Sequence, residues 1–106
     1  MNLSPESIIP ALAEPHRRQI VELLASRGRM NATDISKRFE VTPAAVSQHL
    51  KVLRNAQILS MQRKAQQRLY EINPAAFEEL EQWSRKMKET WTARFNQLDA
   101  LLNEDW

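Results

Sequence analysis

The sequence predicts a mainly α-helical domain with one small β-hairpin, in the order α-α-α-α-β-β-α. Apolar residues recur at steps of three and four over most of the chain, as they do in amphipathic helices. Residues 58–63 and 68–72 instead alternate weakly with a period of two, which is typical of strands. The length of 106 residues fits one domain, predicted to span residues 1–106. This order of elements predicts a winged helix-turn-helix, with residues 64–67 as the loop of the wing.

The first two helices have recognisable starts. Ser4 followed by Pro5 suits a helix N-terminus, because serine caps and proline fits the first helical position. Pro15 begins a second helix in the same way. Gly28 is the only glycine in the chain and stands where a helix would end in a residue with positive φ.

The next two helices have the pattern of a helix-turn-helix. Asn31 is predicted to cap a short third helix at about residues 32–39, and Thr42 is predicted to cap the fourth. Glu40 stands in the turn where glycine is usual, so we expect backbone strain there. The remaining positions of the motif, which fix the angle between the two helices, are Ile35, Ser36, Phe39, Val41, Val46 and Leu50.

The two faces of the fourth helix differ sharply. Val46, Leu50 and Leu53 lie within a narrow arc of the helical wheel and are predicted to face the core. The opposite face starts with small residues and continues with polar and basic ones, without an acid, which suits entry into the DNA major groove. The residues predicted to contact DNA are Thr42, Ala44, Ala45, Ser47, Gln48, His49, Lys51 and Arg54 on this helix, and Arg63, Lys64, Gln66, Gln67 and Arg68 on the wing, with Arg17 and Arg18 as weaker phosphate contacts.

The charge distribution also favours a polyanionic partner. Residues 1–72 contain eleven Lys and Arg against six Asp and Glu, whereas residues 73–106 contain four against seven. No acid occurs between Glu40 and Glu71, a segment that holds five Lys and Arg. Charge alone does not distinguish a DNA-binding surface from an ordinary solvated one, but together with the fourth helix it predicts double-stranded DNA as the partner.

The last helix predicts a homodimer. It starts at Pro74, and its apolar stripe runs for about 28 residues, or about 42 Å, longer than the roughly 30 Å diameter of such a domain. A second copy of the chain would cover the stripe, and the alternative is a monomer with a folded-back tail. The stripe comprises Phe77, Leu80, Trp83, Met87, Trp91, Phe95, Leu98, Leu101 and Leu102. The predicted dimer interface comprises Leu3, Ile8, Ile9, Leu12, Trp83, Met87, Trp91, Phe95, Leu98 and Leu102.

Composition argues against several other functions. The absence of cysteine excludes disulfides, thiol catalysis and thiolate metal sites. His16 and His49 are far apart in the sequence, so we predict no metal site, no cofactor and no catalytic residues. For His49, at the border of the core face, packing is favoured over a DNA contact, and either over a metal or catalytic role. The chain has no signal-peptide pattern and no long apolar run, which predicts the cytoplasm as its location.

Three segments, ALAEPHRRQIVELL, ATDISKRFEVTPAAVSQHLKVLRNAQIL and RKAQQRLYEI, resemble the ArsR/SmtB family of bacterial winged-helix repressors. The resemblance covers about residues 11–102 and implies a homodimer formed by the first and last helices, operator DNA binding, and repression relieved by a signal. Where metal-sensing members carry cysteines, this chain has Asn31, Thr33 and Ser36, which indicates a metal-independent type. It also has Gln57 and Ala65 where the family commonly has glycine.

The resulting prediction is a dimeric transcriptional repressor or autorepressor that binds a palindromic operator. Two alternatives stay open at this stage: a metal- or small-ligand-responsive sensor of the same family, and a dimeric winged-helix interaction module that does not read DNA. The sequence names no effector.

Overall fold

The computed structural model describes residues 3–104, so the ends of the predicted domain, residues 1–2 and 105–106, lie outside the described residues. The predicted order of elements is confirmed, with one added strand before the third helix. The elements are α1 (Pro5–Ala13), α2 (Pro15–Arg27), β1 (Met30–Asn31), α3 (Ala32–Ser36), α4 (Pro43–Asn55), β2 (Leu59–Lys64), β3 (Gln67–Ile72) and α5 (Pro74–Glu104).

The strands form an antiparallel sheet in the order β1-β3-β2. In the hairpin, Leu59 pairs with Ile72 and Lys64 pairs with Gln67. The loop is therefore residues 65–66, and the predicted loop of residues 64–67 was too long by one residue on each side. Strand β1 was not predicted because two residues show no alternation and because Met30 pairs with Tyr70, which is distant in the sequence.

One apolar core joins the helices to the sheet. The wholly buried side chains of α4 face those of α1, α2 and α3, while β2 and β3 close the other side. This packing fixes the inward face of α4 and so determines which of its residues face solvent. The core residues are Ile8, Ala11, Ile20, Val21, Leu24, Ile35, Val46, Leu50, Leu53, Ala56, Ile58, Leu59, Tyr70 and Ala76.

Helix α4 ends in a Schellman motif. The N–H of Gln57 donates to the Arg54 carbonyl at 2.9 Å, and the N–H of Ile58 donates to the Leu53 carbonyl at 3.0 Å. This motif requires a left-handed residue after the helix, and Gln57 accordingly has φ 63°. Ala65 in the hairpin loop has φ 55°. Both positions are those where the family resemblance suggested glycine, so the chain tolerates left-handed backbone there with side chains present.

Glu40 behaves differently from the expectation. Among the described residues, positive φ outside glycine is confined to Gln57 and Ala65, so the expected strain at Glu40 was wrong. Helix α3 is also shorter than predicted, because it ends at Ser36 and turns replace it up to Glu40. The turn spreads its change of direction over several residues, which removes the need for glycine.

Helix α5 leaves the body of the domain. It has 31 residues, about 46 Å at 1.5 Å per residue, within a molecule measuring 71 × 26 × 23 Å. Its first turns pack on the core, but every residue from 81 to 103 is exposed. Among the residues the structure describes, no helix is long and apolar enough to cross a membrane.

Candidate nucleic-acid interface

Helix α4 presents the predicted face to solvent. Its start is fixed by Thr42, whose Oγ1 accepts the N–H of Ala45 at 3.1 Å, and by Pro43 in the first turn. Val46, Leu50 and Leu53 are at most 1% exposed and anchor the helix to the core. Of the predicted DNA contacts on α4, Ala45 and His49 are half-buried, and the exposed ones are Thr42, Ala44, Ser47, Gln48, Lys51 and Arg54.

The wing forms a basic edge. All five predicted wing residues, Arg63, Lys64, Gln66, Gln67 and Arg68, are exposed. Arg63 lies directly opposite Arg68 across the two strands. Like charges in facing positions repel each other, so this pair is unfavourable without an anion nearby. A phosphate placed between the two guanidinium groups would relieve the repulsion.

Two clefts connect α4 to the wing across the start of α3. The first lies between α3 and α4, where Ala32, Thr33 and Lys37 face Ser47. The second lies between α3 and the wing and is lined by Thr33, Arg68 and neighbouring residues. Because both clefts share Ala32 and Thr33, α4, α3 and the wing border one continuous surface.

Lys37 is a part of this surface that was not predicted from the sequence. Lys37 is exposed at the end of α3 and lines the cleft beside Ser47, with its Nζ 4.0 Å from an oxygen of Asp34. A basic residue just before the helix-turn-helix turn was the available signal.

Arg17 and Arg18 have structural partners in the fold. Arg17 donates from Nε to the Ala11 carbonyl at 2.6 Å, and Arg18 donates from Nη1 to the carbonyls of Leu12 and Ala13 at 2.9 and 2.8 Å. These carbonyls belong to the last turn of α1, which lacks helical partners. Both side chains therefore stabilise the end of α1, which weakens the expectation that they contact phosphates.

His49 lies where α4 packs against α2, at the border of the core face of α4 that the helical wheel predicted. Its side chain is 18% exposed, and its Nδ1 is 3.5 Å from Arg17 Nη1 and 3.8 Å from Glu14 Oε2. Its ring stacks on that of His16, with centroids 5.6 Å apart and an interplanar angle of 12°. His49 is thus held by the body of the domain, and its part in DNA binding stays a prediction.

Glu14 connects these groups. Its Oε2 accepts the backbone N–H of Arg17 at 2.9 Å, which caps α2, and its Oε1 lies 2.9 Å from His16 Nδ1. Partial burial alone raises the pKa of Glu14. The hydrogen bonds from His16 and from the Arg17 N–H, together with the charge interactions with His49 and His16, outweigh that effect, so the pKa of Glu14 lies below its ordinary value.

The apolar stripe of α5 is exposed as predicted, with Trp91 at 67% and Phe95 at 57%. On α1, Ile9 is 43% exposed, while Leu3 and Leu12 are partly buried against the core. Ile8 is 0% exposed within the single chain, so its prediction as an interface residue was wrong. Helical spacing could not tell which face of α1 its own domain would cover. The other exposed members of the stripe are Trp83, Met87, Leu98, Leu101 and Leu102.

Known proteins of similar sequence identify the family to which this chain is related. Residues 14–60 match the model of a family described as bacterial regulatory protein, arsR family. The chain is 32% identical over 77 residues to the transcriptional repressor SdpR of Bacillus subtilis, a match covering 73% of this chain and 84% of SdpR. It is 38% identical over 71 residues to the HTH-type transcriptional regulator Rv2034 of Mycobacterium tuberculosis, covering 67% of this chain and 65% of the relative.

The fold is similar to solved structures as well. An ArsR family transcriptional regulator superposes with a TM-score of 0.76 at 25% identity, covering 82% of this chain and 89% of the other. An ArsR-like transcriptional regulator from Rhodococcus reaches a TM-score of 0.82 at 19% identity over 91% of this chain and 90% of the other, a likeness of fold alone. These relatives are named as transcriptional regulators and not as enzymes.

Proposed function

The chain belongs to the ArsR family of bacterial regulatory proteins and is a DNA-binding transcriptional regulator, and we propose that it acts as a homodimeric repressor of a palindromic operator. The observation that carries the proposal is the exposed face of α4, which is free of acids and continuous with a basic wing. Repression follows when the dimer occupies a promoter. We place this action in the bacterial cytoplasm, at the chromosome, and assign the chain no catalytic role.

Helix α4 is the proposed recognition helix. Its first turn exposes Ala44, a small residue that permits close approach to the groove floor. Ser47 and Gln48 follow on the exposed face, and their hydroxyl and amide groups can hydrogen-bond to base edges. Lys51 and Arg54 lie further along the helix, where a phosphate is the nearer partner. Val46 and Leu50 keep these groups oriented by anchoring the helix.

The wing is the proposed second contact. Its exposed residues Arg63, Lys64 and Arg68 would bind flanking phosphates or enter the minor groove, with Gln66 in the loop and Gln67 at the start of β3. Such contacts add affinity for every DNA sequence and set the orientation of the domain. Base preference would then depend on α4, and overall affinity on the wing.

The second copy of the chain is the proposed occupant of the α5 stripe. From Trp83 to Leu102, apolar side chains 44–67% exposed follow one face of a helix that its own domain does not cover. A patch of this kind is typical of an interface, and a two-fold axis would let each α5 cover the other. Ile9 extends the surface onto α1. We propose that residues 1–106 form one domain that dimerises through α1 and α5.

The dimer would place two α4 helices on one side of the DNA. Two-fold symmetry then demands an inverted repeat, with half-sites about one helical turn or 34 Å apart. The direct experiment is selection of bound sequences from a random pool of duplex DNA by the purified chain. We expect an inverted repeat to be enriched. Enrichment of a single half-site would contradict the dimer, and salt-independent binding or none would contradict the proposed interface.

A further inference from the structure

The fold brings together three side chains with metal-binding chemistry that are not adjacent in the sequence. One ligand atom from each of Glu14, His16 and His49 lies within 4.8 Å of the others. The carboxylate of Glu14 approaches both imidazoles, with Oε1 2.9 Å from His16 Nδ1 and Oε2 3.8 Å from His49 Nδ1. All three residues are half-buried, so they are reachable from solvent and still held in place.

We propose that Glu14, His16 and His49 form a binding site for a divalent transition-metal ion of the zinc, cobalt and nickel class. Two imidazoles and one carboxylate are the donors that such ions take in proteins. The inference departs from the prediction of no metal site, which rested on the sequence separation of the two histidines and on the absence of cysteine. It does not rest on DNA binding.

The distances suit the ion. Zinc binds histidine nitrogen at about 2.0–2.1 Å and carboxylate oxygen at about 2.0–2.2 Å, which places ligand atoms about 3.3 Å apart on a tetrahedron. The observed separations of 2.9 and 3.8 Å bracket that value. The ligand atoms of the two histidines lie within 4.8 Å of each other, so the rings would have to rotate to bring them to tetrahedral spacing. Three protein ligands leave the fourth position to water.

Two features oppose metal binding at this site: a nearby cation, and the hydrogen bond between His16 and Glu14. Among the described residues, the Arg17 guanidinium is a cation beside the site, with its Nη1 3.5 Å from His49 Nδ1. The Arg17 guanidinium is held on the carbonyls of Ala11 and Pro10, at 2.6 and 3.4 Å, and therefore stays close. Its charge weakens metal binding relative to a site with two carboxylates. A bound ion would replace the hydrogen bond between His16 Nδ1 and Glu14 Oε1.

The site would join two helices with different tasks. Glu14 caps α2 and His16 lies in its first turn, whereas His49 belongs to α4 next to Gln48. An ion bound by all three would connect α2 to the helix proposed to enter the groove. Because the unfolded chain does not hold these ligands together, binding would also stabilise the fold.

The test is a titration of Zn²⁺ into the full chain, purified without a histidine tag, in competition with a chromophoric chelator and without DNA. We expect one ion per chain. His16→Gln and Glu14→Gln should each weaken binding about tenfold or more. Glutamine at position 14 keeps an oxygen for the Arg17 N–H, so α2 remains capped. The control is Glu22→Gln, an exposed carboxylate on α2, which should bind like the parent.

Two further measurements separate a lost ligand from a damaged fold. With Co²⁺, the parent and Glu22→Gln should show visible absorption typical of nitrogen and oxygen ligands. His16→Gln should not show this absorption. Zn²⁺ should raise the melting temperature of the parent but not of His16→Gln, whose melting without metal should match the parent. Absence of binding, or binding that His16→Gln leaves unchanged, overturns the proposal. Neither result bears on DNA binding, which the pool selection tests separately.

Discussion

The side-chain amide of Asn73 donates a hydrogen bond of 2.8 Å to the backbone carbonyl of Gln57. Gln57 is the left-handed residue that ends α4, and Asn73 precedes α5. The N–H of Asn73 also donates to the Ile58 carbonyl at 2.9 Å, and its Oδ1 accepts the N–H of Ala75 at 3.3 Å. One asparagine thus connects the end of the proposed recognition helix to the start of the proposed dimerisation helix.

Replacing this asparagine should destabilise the fold. Asn73→Ala removes both the donor to Gln57 and the acceptor for Ala75, and we expect a loss of about 1–2 kcal/mol in the free energy of unfolding. Denaturant unfolding measures it. The matched control is Asn55→Ala, an exposed asparagine at the end of α4, which should change stability by less than about 0.5 kcal/mol. An equal change of stability in Asn73→Ala and Asn55→Ala would show that the hydrogen bonds of Asn73 do not stabilise the fold.

Glycine at the left-handed positions should stabilise the fold. Ala65 has φ 55°, a conformation that costs an L-residue about 1–2 kcal/mol, partly offset by the greater freedom of unfolded glycine. We expect Ala65→Gly to gain about 0.5–1 kcal/mol, and Gln57→Gly to change in the same direction. Ala25→Gly, at an exposed position in α2, should instead lose about 0.5–1 kcal/mol. A loss of stability in Ala65→Gly would mean that residue 65 does not have a positive φ.

Local signals made much of this fold predictable. Thr42 and Pro43 specify the start of α4 through contacts within one turn, and Val46, Leu50 and Leu53 specify its inward face by spacing alone. The exposed face of α4 follows from these residues. The positions of Gln57 and Ala65 were identified through the family resemblance, and their positive φ agrees with the glycine that the resemblance implies there.

Contacts between elements that are distant in the sequence could not be predicted from local signals. The ring stack of His16 on His49 depends on how α2 packs against α4, and no spacing within either helix encodes that packing. The burial of Ile8 depends in the same way on which side of α1 meets the core. Arg17 was predicted as a weak phosphate contact because the sequence does not show its carbonyl partners. Those carbonyls belong to the preceding helix, and the turn at residue 14 brings them next to the Arg17 side chain.

Gln48 should contribute base preference. If its amide reads bases, Gln48→Ala should weaken binding to the selected operator by about 1–3 kcal/mol and relax preference at the contacted positions. Binding to random DNA should stay as it was, since no phosphate contact is lost. Fluorescence anisotropy with operators substituted one base pair at a time would measure both. Gln82→Ala, exposed on α5, is the control. Equal weakening on operator and random DNA would assign Gln48 to the backbone.

Lys64 should contribute affinity without preference. It is exposed at the end of β2, so we expect Lys64→Ala to weaken binding to all sequences alike. The slope of log binding constant against log salt should fall in magnitude by about 1, the loss of one phosphate contact. Lys86→Ala removes the same charge from exposed α5 and should leave the slope unchanged. A change of sequence preference in Lys64→Ala would contradict this division between wing and helix.

The exposed stripe of α5 should hold the dimer together. Trp91 is 67% exposed in the single chain, and covering it in both copies would contribute about 1.5–3 kcal/mol each. Trp91→Asp also places a carboxylate in the proposed interface, so we expect the dimer dissociation constant to rise roughly 100-fold or more. Sedimentation velocity over a concentration series would measure it. Ala93→Asp adds the same acid on the opposite side of the helix and should leave the dimer intact. If both variants remain dimeric, the copies associate through another surface, and the spacing of the two α4 helices must be derived from that surface instead.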